Sequence, residues 1–521
     1  MQKSIFILLL ALNGLVLGAQ NTYSYRFDFG FPAAVLTSIL PTDSCYYATG
    51  VIADSVPPNE AGNIFVKFSL QGEIDYLKTI RDTAKSYQTW RNNLKALPWG
   101  GFAVAGYTVD SLMKALLIVY DEDGDMVHTA EFPSPYYPDE GFIFTKDMKV
   151  LEDGYALLNL IFSTEGINNG QIQFLRLDKE GELLWEEEYG IVSRLDSPFS
   201  VTVMPEGYII ASIRSNVNIA RQDYEARNHL FKINEQGDVL WEYFSPTGEL
   251  RGKEGRAIAT SDGGLLVFTG QGVEVYVNPV TGQLRWHNYV FKLDSSRQEE
   301  WGVLVRDSLP STSPNNQLTS GIEMQDGSGY AVAGNLIART PENWFFSGVL
   351  AKISPDGELL WKRYYQHIAG EGPRHYINDL AQAPDGGFIM AGEVRDTVNA
   401  PRQQGWLLKV DEYGCLVPGC ELISGAEEPK PSGDSESSDG CTLLLYPNPV
   451  SAALQVYFFA PAGGEHHFRI LDAQGREWRR FSTRLSEVTL LVEVGELPGG
   501  VYYLQCLRDG QVVGVEGFVK R

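Results

Sequence analysis

One segment, written again and again, constrains this chain more than anything else in it. "DKEGELLWEEEYG" at Asp178, "NEQGDVLWEYF" at Asn234 and "SPDGELLWKRYY" at Ser354 share a fixed frame. A turn-opening residue is followed three places later by glycine, and four places after that by a large ring. The openers fall at Ser69, Asp121, Asp178, Asn234, Asp294, Ser354 and Asp411, about 52 to 60 residues apart. That is the range of period found in solenoids and propellers. The glycines are Gly72, Gly124, Gly181, Gly237, Gly357 and Gly414, with Arg297 in the fifth copy. The rings are Tyr76, His128, Trp185, Trp241, Trp301 and Trp361, and the seventh copy has Pro418 instead.

Each copy has an earlier half, such as "GGFAVAGY" at Gly100, "DGYALLNL" at Asp153 and "DGGFIMAGE" at Asp385. Apolar runs rich in β-branched and aromatic residues, opened by Asp-Gly or Gly-Gly, predict buried strands that leave tight turns. A second run follows ("FLRLD", "LFKIN", "VLAKI", "WLLKV"), in which the basic residue faces away from its apolar neighbours. Each unit is therefore expected to hold four strands, and four-stranded sheets repeated radially make a β-propeller. The seventh copy lacks its ring-bearing strand. "YRFDFG", Tyr25 to Gly30, lines up with "WEEEYG", Trp185 to Gly190, and supplies one from the chain start. The expectation is an all-β chain: a seven-bladed β-propeller closed by the N-terminal strand, followed by a small Ig-like β-sandwich. Trp301 keeps the seven-residue offset of the fifth copy, so "VYVNPVTGQLRWHNY", with Trp286, is expected to be an inserted hairpin.

The domains follow: a signal peptide over 1–19, the propeller over 20–423, a linker over 424–440 and a C-terminal domain over 441–521. "MQKSIFILLLALNGLVLGAQ" has Lys3, then an apolar run from Ile5 to Leu17, then small residues up to a cut after Ala19. That is the order of a secretory signal peptide. No later run reaches the roughly 18 apolar residues of a membrane helix. "SGAEEPKPSGDSESSDG" lacks aromatics and reads as a solvated linker. The net charge of −24 argues against nucleic acid as a partner. Five cysteines are too few for a disulfide framework, but Cys415 and Cys420, in "GCLVPGC", are expected to bridge in an oxidising compartment. The pairing of Cys45, Cys441 and Cys506 stays open.

The last 80 or so residues alternate strands with Gly turns, as a small sandwich does. "YPNPV" at Tyr446, "LDAQGREW" at Leu471, "LPGGVYYLQ" at Leu497 and the terminal "GFVKR" together resemble the type A C-terminal sorting domain of the type IX secretion system of Bacteroidota. The resemblance implies a sorting signal at Pro447, Asn448, Pro449, Gly499, Gly500, Tyr502 and Lys520. It also implies type IX secretion machinery as a partner and a secreted or cell-surface location. Residues 23–420 resemble a repeat β-propeller.

Catalytic motifs are lacking. There is no HExxH, GxSxG elbow, P-loop or dinucleotide fingerprint. His128 is explained by the repeat as a packing ring, and His367 and His375 share one loop without a carboxylate partner. "YDEDGD" offers Asp121, Asp123 and Asp125 to calcium, but it lacks the closing bidentate Glu and is itself the repeat turn. The loops between second and third strands are long: "NVNIARQDYEARN", "LIARTPENWFFSG" and "VRDTVNAPRQQGW". They would gather Arg221, Tyr224, Arg227, Arg339, Trp344, Arg402 and Trp406 on one face of the ring. Arginine among aromatic rings suits anionic or carbohydrate ligands. The expected function is an exported binding protein; the alternative is a secreted glycan-cleaving hydrolase or lyase with its site in the propeller funnel.

Overall fold

A computed structural model describes residues 21–54, 60–134, 142–162, 170–190, 195–218, 223–246, 250–272, 286–305, 316–339, 344–368, 372–397, 402–416, 441–446, 450, 452–459, 464–472, 475–484 and 487–520. Among them every regular element is a β-strand. Residues 33–80, 86–132, 142–189, 195–244, 250–305 and 317–365 each form a unit of four strands, antiparallel and in chain order. A seventh unit, 374–410, supplies three strands, and its fourth is Tyr23–Phe27, antiparallel to Arg402–Val410. The first strand of each unit packs against the first strands of the units on both sides, and the circle closes between Arg374–Gln382 and Ala33–Pro41.

The repeat exists because a turn and a ring interlock. In every copy the opener's carbonyl accepts the N–H of the residue three places on, which lies at positive φ. The opener's side chain accepts a further N–H. Asp121 Oδ1 takes those of Asp123 and Asp125, and Ser69 Oγ those of Gln71 and Glu73. This is why the openers are Ser, Asp or Asn. The ring of one unit lies on the turn of the next. A Cβ on Gly357 would stand 2.5 Å from Trp301, and one on Gly414 2.7 Å from Trp361. Tyr76 crowds Gly124 and Trp185 lies near Gly237 in the same way. Where the fifth copy has Arg297, its guanidinium lies 4.9 Å from the Trp241 ring centroid.

The last interlock is the one that closes the circle. Pro418 lies outside the described residues, and Tyr23 and Tyr25 together cover Gly72 of the first unit. The register corrects the expected alignment by two residues. Tyr23 opposes Lys409, as Trp185, Trp241 and Trp361 oppose Arg176, Lys232 and Lys352. A shift of two keeps every side chain on its face, and with tyrosine at both positions the pattern could not tell them apart.

Apolar clusters fill the gaps between consecutive units. Leu157 and Leu175 meet Ala103 and Leu117, and so on round to Ile389 and Leu407 against Ala34, Ala48 and Phe68. Sheets covered on both faces account for the near-continuous apolar runs of their second and third strands. In units three, five and seven the basic residue of the third strand reaches the Asp of its own unit's Asp-Gly turn. Lys409 Nζ is 2.8 Å from Asp385 Oδ2, and Lys292 and Arg176 contact Asp262 and Asp153. Trp286 opens the third strand of unit five, Trp286–Leu293, and so is not part of an inserted hairpin; residues 275–285 lie outside the described ones.

In the C-terminal region the strands Thr442–Tyr446, Ala453–Phe459 and Glu487–Glu493 form one sheet. Glu477–Thr483, His466–Asp472, Gly500–Arg508 and Gln511–Lys520 form a second, and Phe458, Phe468, Tyr502 and Phe518 fill a core common to both. "LDAQGREW" folds by the repeat's own turn, with Asp472 Oδ1 accepting the Arg476 N–H. Tyr502 donates its hydroxyl to the Pro498 carbonyl, and Lys520 is buried. Pro447, Asn448 and Pro449 lie outside the described residues. Cys415 is disulfide-bonded, whereas Cys45, Cys441 and Cys506 are free; Cys420 lies outside the described residues. No helix of the described residues is long and apolar enough to cross a membrane.

Candidate functional site

The expected loop face is largely strand. The second and third strands of unit four pair out to Asn218 and Asp223, those of unit six to Arg339 and Trp344, and those of unit seven to Asp396 and Arg402. Tyr224, Arg339 and Arg402 belong to these hairpins, and Arg221 lies outside the described residues. Arg227 is held inward, with Nε donating to the Ser245 carbonyl at 2.8 Å and its guanidinium over Phe244. Trp344 is exposed. Trp406 is a correction, because it is 1% exposed and donates its indole N–H to Ser24 Oγ at 2.9 Å. It is core at the ring closure. His367 Nδ1 bonds the same hydroxyl, and His375 Nε2 accepts the Ile368 N–H. Burial holds both imidazoles down to about 4. Two of the three carboxylates offered to calcium are occupied: Asp121 closes its turn and Asp125 pairs with Lys78. Among the described residues no group of three or more His, Cys, Asp or Glu is placed to hold a metal.

The chemistry that the structure does bring together lies at the axis of the circle. Every first strand carries a register shift against its second strand. Bulges of this kind turn side chains aside from the pleat and leave backbone groups to be satisfied. Polar residues beside the shifts bond the next unit's backbone. Ser38 Oγ accepts the Asn93 N–H, Asp147 Oδ2 that of Val201, Ser200 Oγ that of Ala257 and Asp379 Oδ2 that of Ile39. They stitch the inner rim.

Unit two departs most from the pattern. Residues 90–93, "WRNN", stand opposite Ala105 alone, and the extra chain crosses the ring. Arg91 Nε donates to Asn378 Oδ1 of unit seven at 3.0 Å, and its Nη1 lies 3.5 Å from Glu254 Oε2 of unit five. Asn92 donates to the Thr319 carbonyl of unit six. Asn92 and Glu254 both sit at positive φ, +60° and +50°. Glutamate gains nothing local from that conformation, so the surroundings impose it.

Around this crossing stand the cations Arg91, Lys95, Lys146, Lys149 and Arg256 and the carboxylates Asp147, Glu254 and Asp379. Cations are in excess, at the centre of a chain whose net charge is −24. The carboxylates are committed. Asp379 accepts from Ile39 N, Leu380 N and Ser320 Oγ; Asp147 accepts from Val201 N and Met148 N and pairs with Lys149; Glu254 pairs with Arg91. Two cations are not. Lys146 Nζ lies 4.5 Å from the Trp90 centroid and makes no hydrogen bond or ion pair with a described residue. Arg256 is 5% exposed, and its Nε has no partner among the described residues. Burial pushes Lys95 and Lys146 down to about 8; Lys149 beside the first, and Arg256 and Arg91 beside the second, act in the same direction. Burial also lowers Arg256 and raises Asp379.

This centre was missed from the sequence; its local trace is a pair of opposite charges within one strand, Lys146 and Asp147 in "TKDM", which does not by itself point to a site.

No family model and no curated protein sequence matches this chain. Among solved structures it is similar to the β-propeller domain of the Trilobed protease from Pyrococcus furiosus, at 13% identity and a TM-score of 0.39, over 73% of this chain and 95% of that one. A Synechocystis apocarotenoid oxygenase matches at 9% identity and a TM-score of 0.37, over 74% and 93%. A lignostilbene dioxygenase from Pseudomonas brassicacearum matches at 12% and 0.38, over 75% and 93%. Likenesses at this level carry no functional argument.

Proposed function

We propose that this chain is an exported binding protein built on a seven-bladed β-propeller, with a C-terminal Ig-like sandwich that serves as a type IX sorting domain. The propeller reading rests on the circle of first-strand contacts and on the ring-over-turn interlock between consecutive units. The export reading rests on the N-terminal leader pattern and on the motifs of the last 80 or so residues.

Binding is favoured over glycan cleavage by one observation at the axis. A glycosidase needs two carboxyl groups free to act on one bond. Here Asp147 and Asp379 are held by backbone N–H groups of the neighbouring units, and Glu254 is paired with Arg91. What faces the axis uncommitted is cationic and aromatic. Purified full-length protein should therefore retain a ligand on glycan or protein arrays and leave every glycan in a hydrolase and lyase screen intact. Turnover of any glycan in that screen would refute the reading.

A further inference from the structure

We propose that the axis of the ring is a binding site for an oxyanion, a carboxylate, phosphate or sulfate group, with Arg256 and Lys146 as its principal ligands and Arg91 and Lys95 as the flanking charges. The inference deepens the binding-protein reading and rests on it.

Three observations converge. Arg256 is buried, and its Nε lacks any partner among the described residues. An unpaired buried guanidinium is costly unless something answers it, and its planar fork suits an oxyanion. Lys146, over Trp90, likewise has no acceptor among the described residues, whereas Lys149 nearby is matched with Asp147 at 3.0 Å. The backbone is held in two left-handed non-glycine residues, Asn92 and Glu254, to bring Arg91 and Glu254 together across the ring. Such strain concentrates where a ligand is held. Glu254 orients Arg91, and Asp379 and Asp147 tie the rim; with Glu393, which lies beside Arg91 and pairs with Arg395, six cations stand against four carboxylates that are already engaged. The excess charge is what an oxyanion would neutralise.

The test is calorimetric titration of the full chain at low ionic strength with inorganic phosphate, sulfate and glucuronate in turn. At least one should give a saturable one-site isotherm at pH 7. It should weaken at least tenfold in Arg256→Met and in Lys146→Met, while Arg297→Gly, a turn residue far along the strands, leaves it unchanged. Raising the pH through about 8 should also weaken it as Lys95 and Lys146 lose their protons. A second readout separates a ligand role from a structural one. In anion-free buffer Arg256→Met should unfold at higher urea than the parent chain, since it removes an unanswered buried charge. No saturable signal with any of the three anions, or Arg256→Met and Lys146→Met binding like the parent, overturns the site; so does Arg256→Met losing stability while it keeps the isotherm. If the anions fail but an array ligand binds and survives Arg256→Met, the site falls and the binding-protein reading stands. If a glycan is turned over while the isotherm persists, the binding-only reading falls and the site stands.

Discussion

The interlock between a ring and the next unit's turn can be measured by a matched pair of substitutions, Gly357→Ala and Gly386→Ala. Both glycines lie at nearly the same conformation, φ +87° and +86°. An alanine there meets a left-handed penalty of roughly 1–2 kcal/mol, partly offset by about 0.4–1 kcal/mol from the stiffer unfolded chain. For Gly386 that is the whole effect, because nothing lies within 4 Å of the added Cβ. For Gly357 the Cβ would stand 2.5 Å from Trp301 Cδ2 and 2.6 Å from its Cγ. Those are the fixed, inner atoms of an indole whose N–H is already tied to the Pro355 carbonyl at 2.9 Å. The ring has to move off its neighbour, and overpacking of this kind adds about 1–3 kcal/mol. Equilibrium urea unfolding should then show Gly386→Ala within about 1 kcal/mol of the parent and Gly357→Ala destabilised by roughly 2–4 kcal/mol. Equal losses in the two variants would mean that the ring only covers the turn, and that glycine is there for its φ alone.

Other outcomes follow from the same contacts. Trp406→Ala, which empties the core at the ring closure and removes the indole donor to Ser24, should cost roughly 3–5 kcal/mol in the same assay, and should speed proteolysis near Tyr23. Asp385→Asn leaves Lys409, 1% exposed, without its carboxylate; a loss of about 3 kcal/mol is expected, read by urea midpoint. His229 is buried between Phe231 and Phe244 and held down to about 3 by desolvation and by Arg214 and Arg227. The unfolded chain therefore takes up this proton first: stability is full above about pH 6.5 and falls as the pH drops toward 3. His229→Gln should flatten that acid limb, and an unchanged slope from pH 6.5 to 4 would count against the assignment.

The period of the repeat and the turn that opens each copy were legible in the sequence because both rest on local chemistry. A Ser, Asp or Asn opens the turn by bonding its own backbone, a glycine takes positive φ, and a ring follows at fixed distance. The strand assignment followed from runs buried on both faces. Register was not legible where tyrosine stood at both candidate positions, so Tyr23, not Tyr25, faces Lys409. Nor did composition distinguish loops from hairpins. "NVNIARQDYEARN" looks like a polar loop, yet it continues as paired strand to Asn218 and Asp223, because neighbouring backbone groups supply what the side-chain pattern does not.

The axial centre was decided by tertiary structure alone. Arg91, Lys146, Glu254 and Arg256 come from three units and are separated by up to about 165 residues of chain. Nothing in their local spacing says that they share a centre; only closure of the circle turns seven inner strands toward one axis. The sequence by itself determined the unit, because a turn, a strand and a ring interact over a few residues. The fold decided what the units enclose, since charge and desolvation act between groups that only the closed ring makes neighbours.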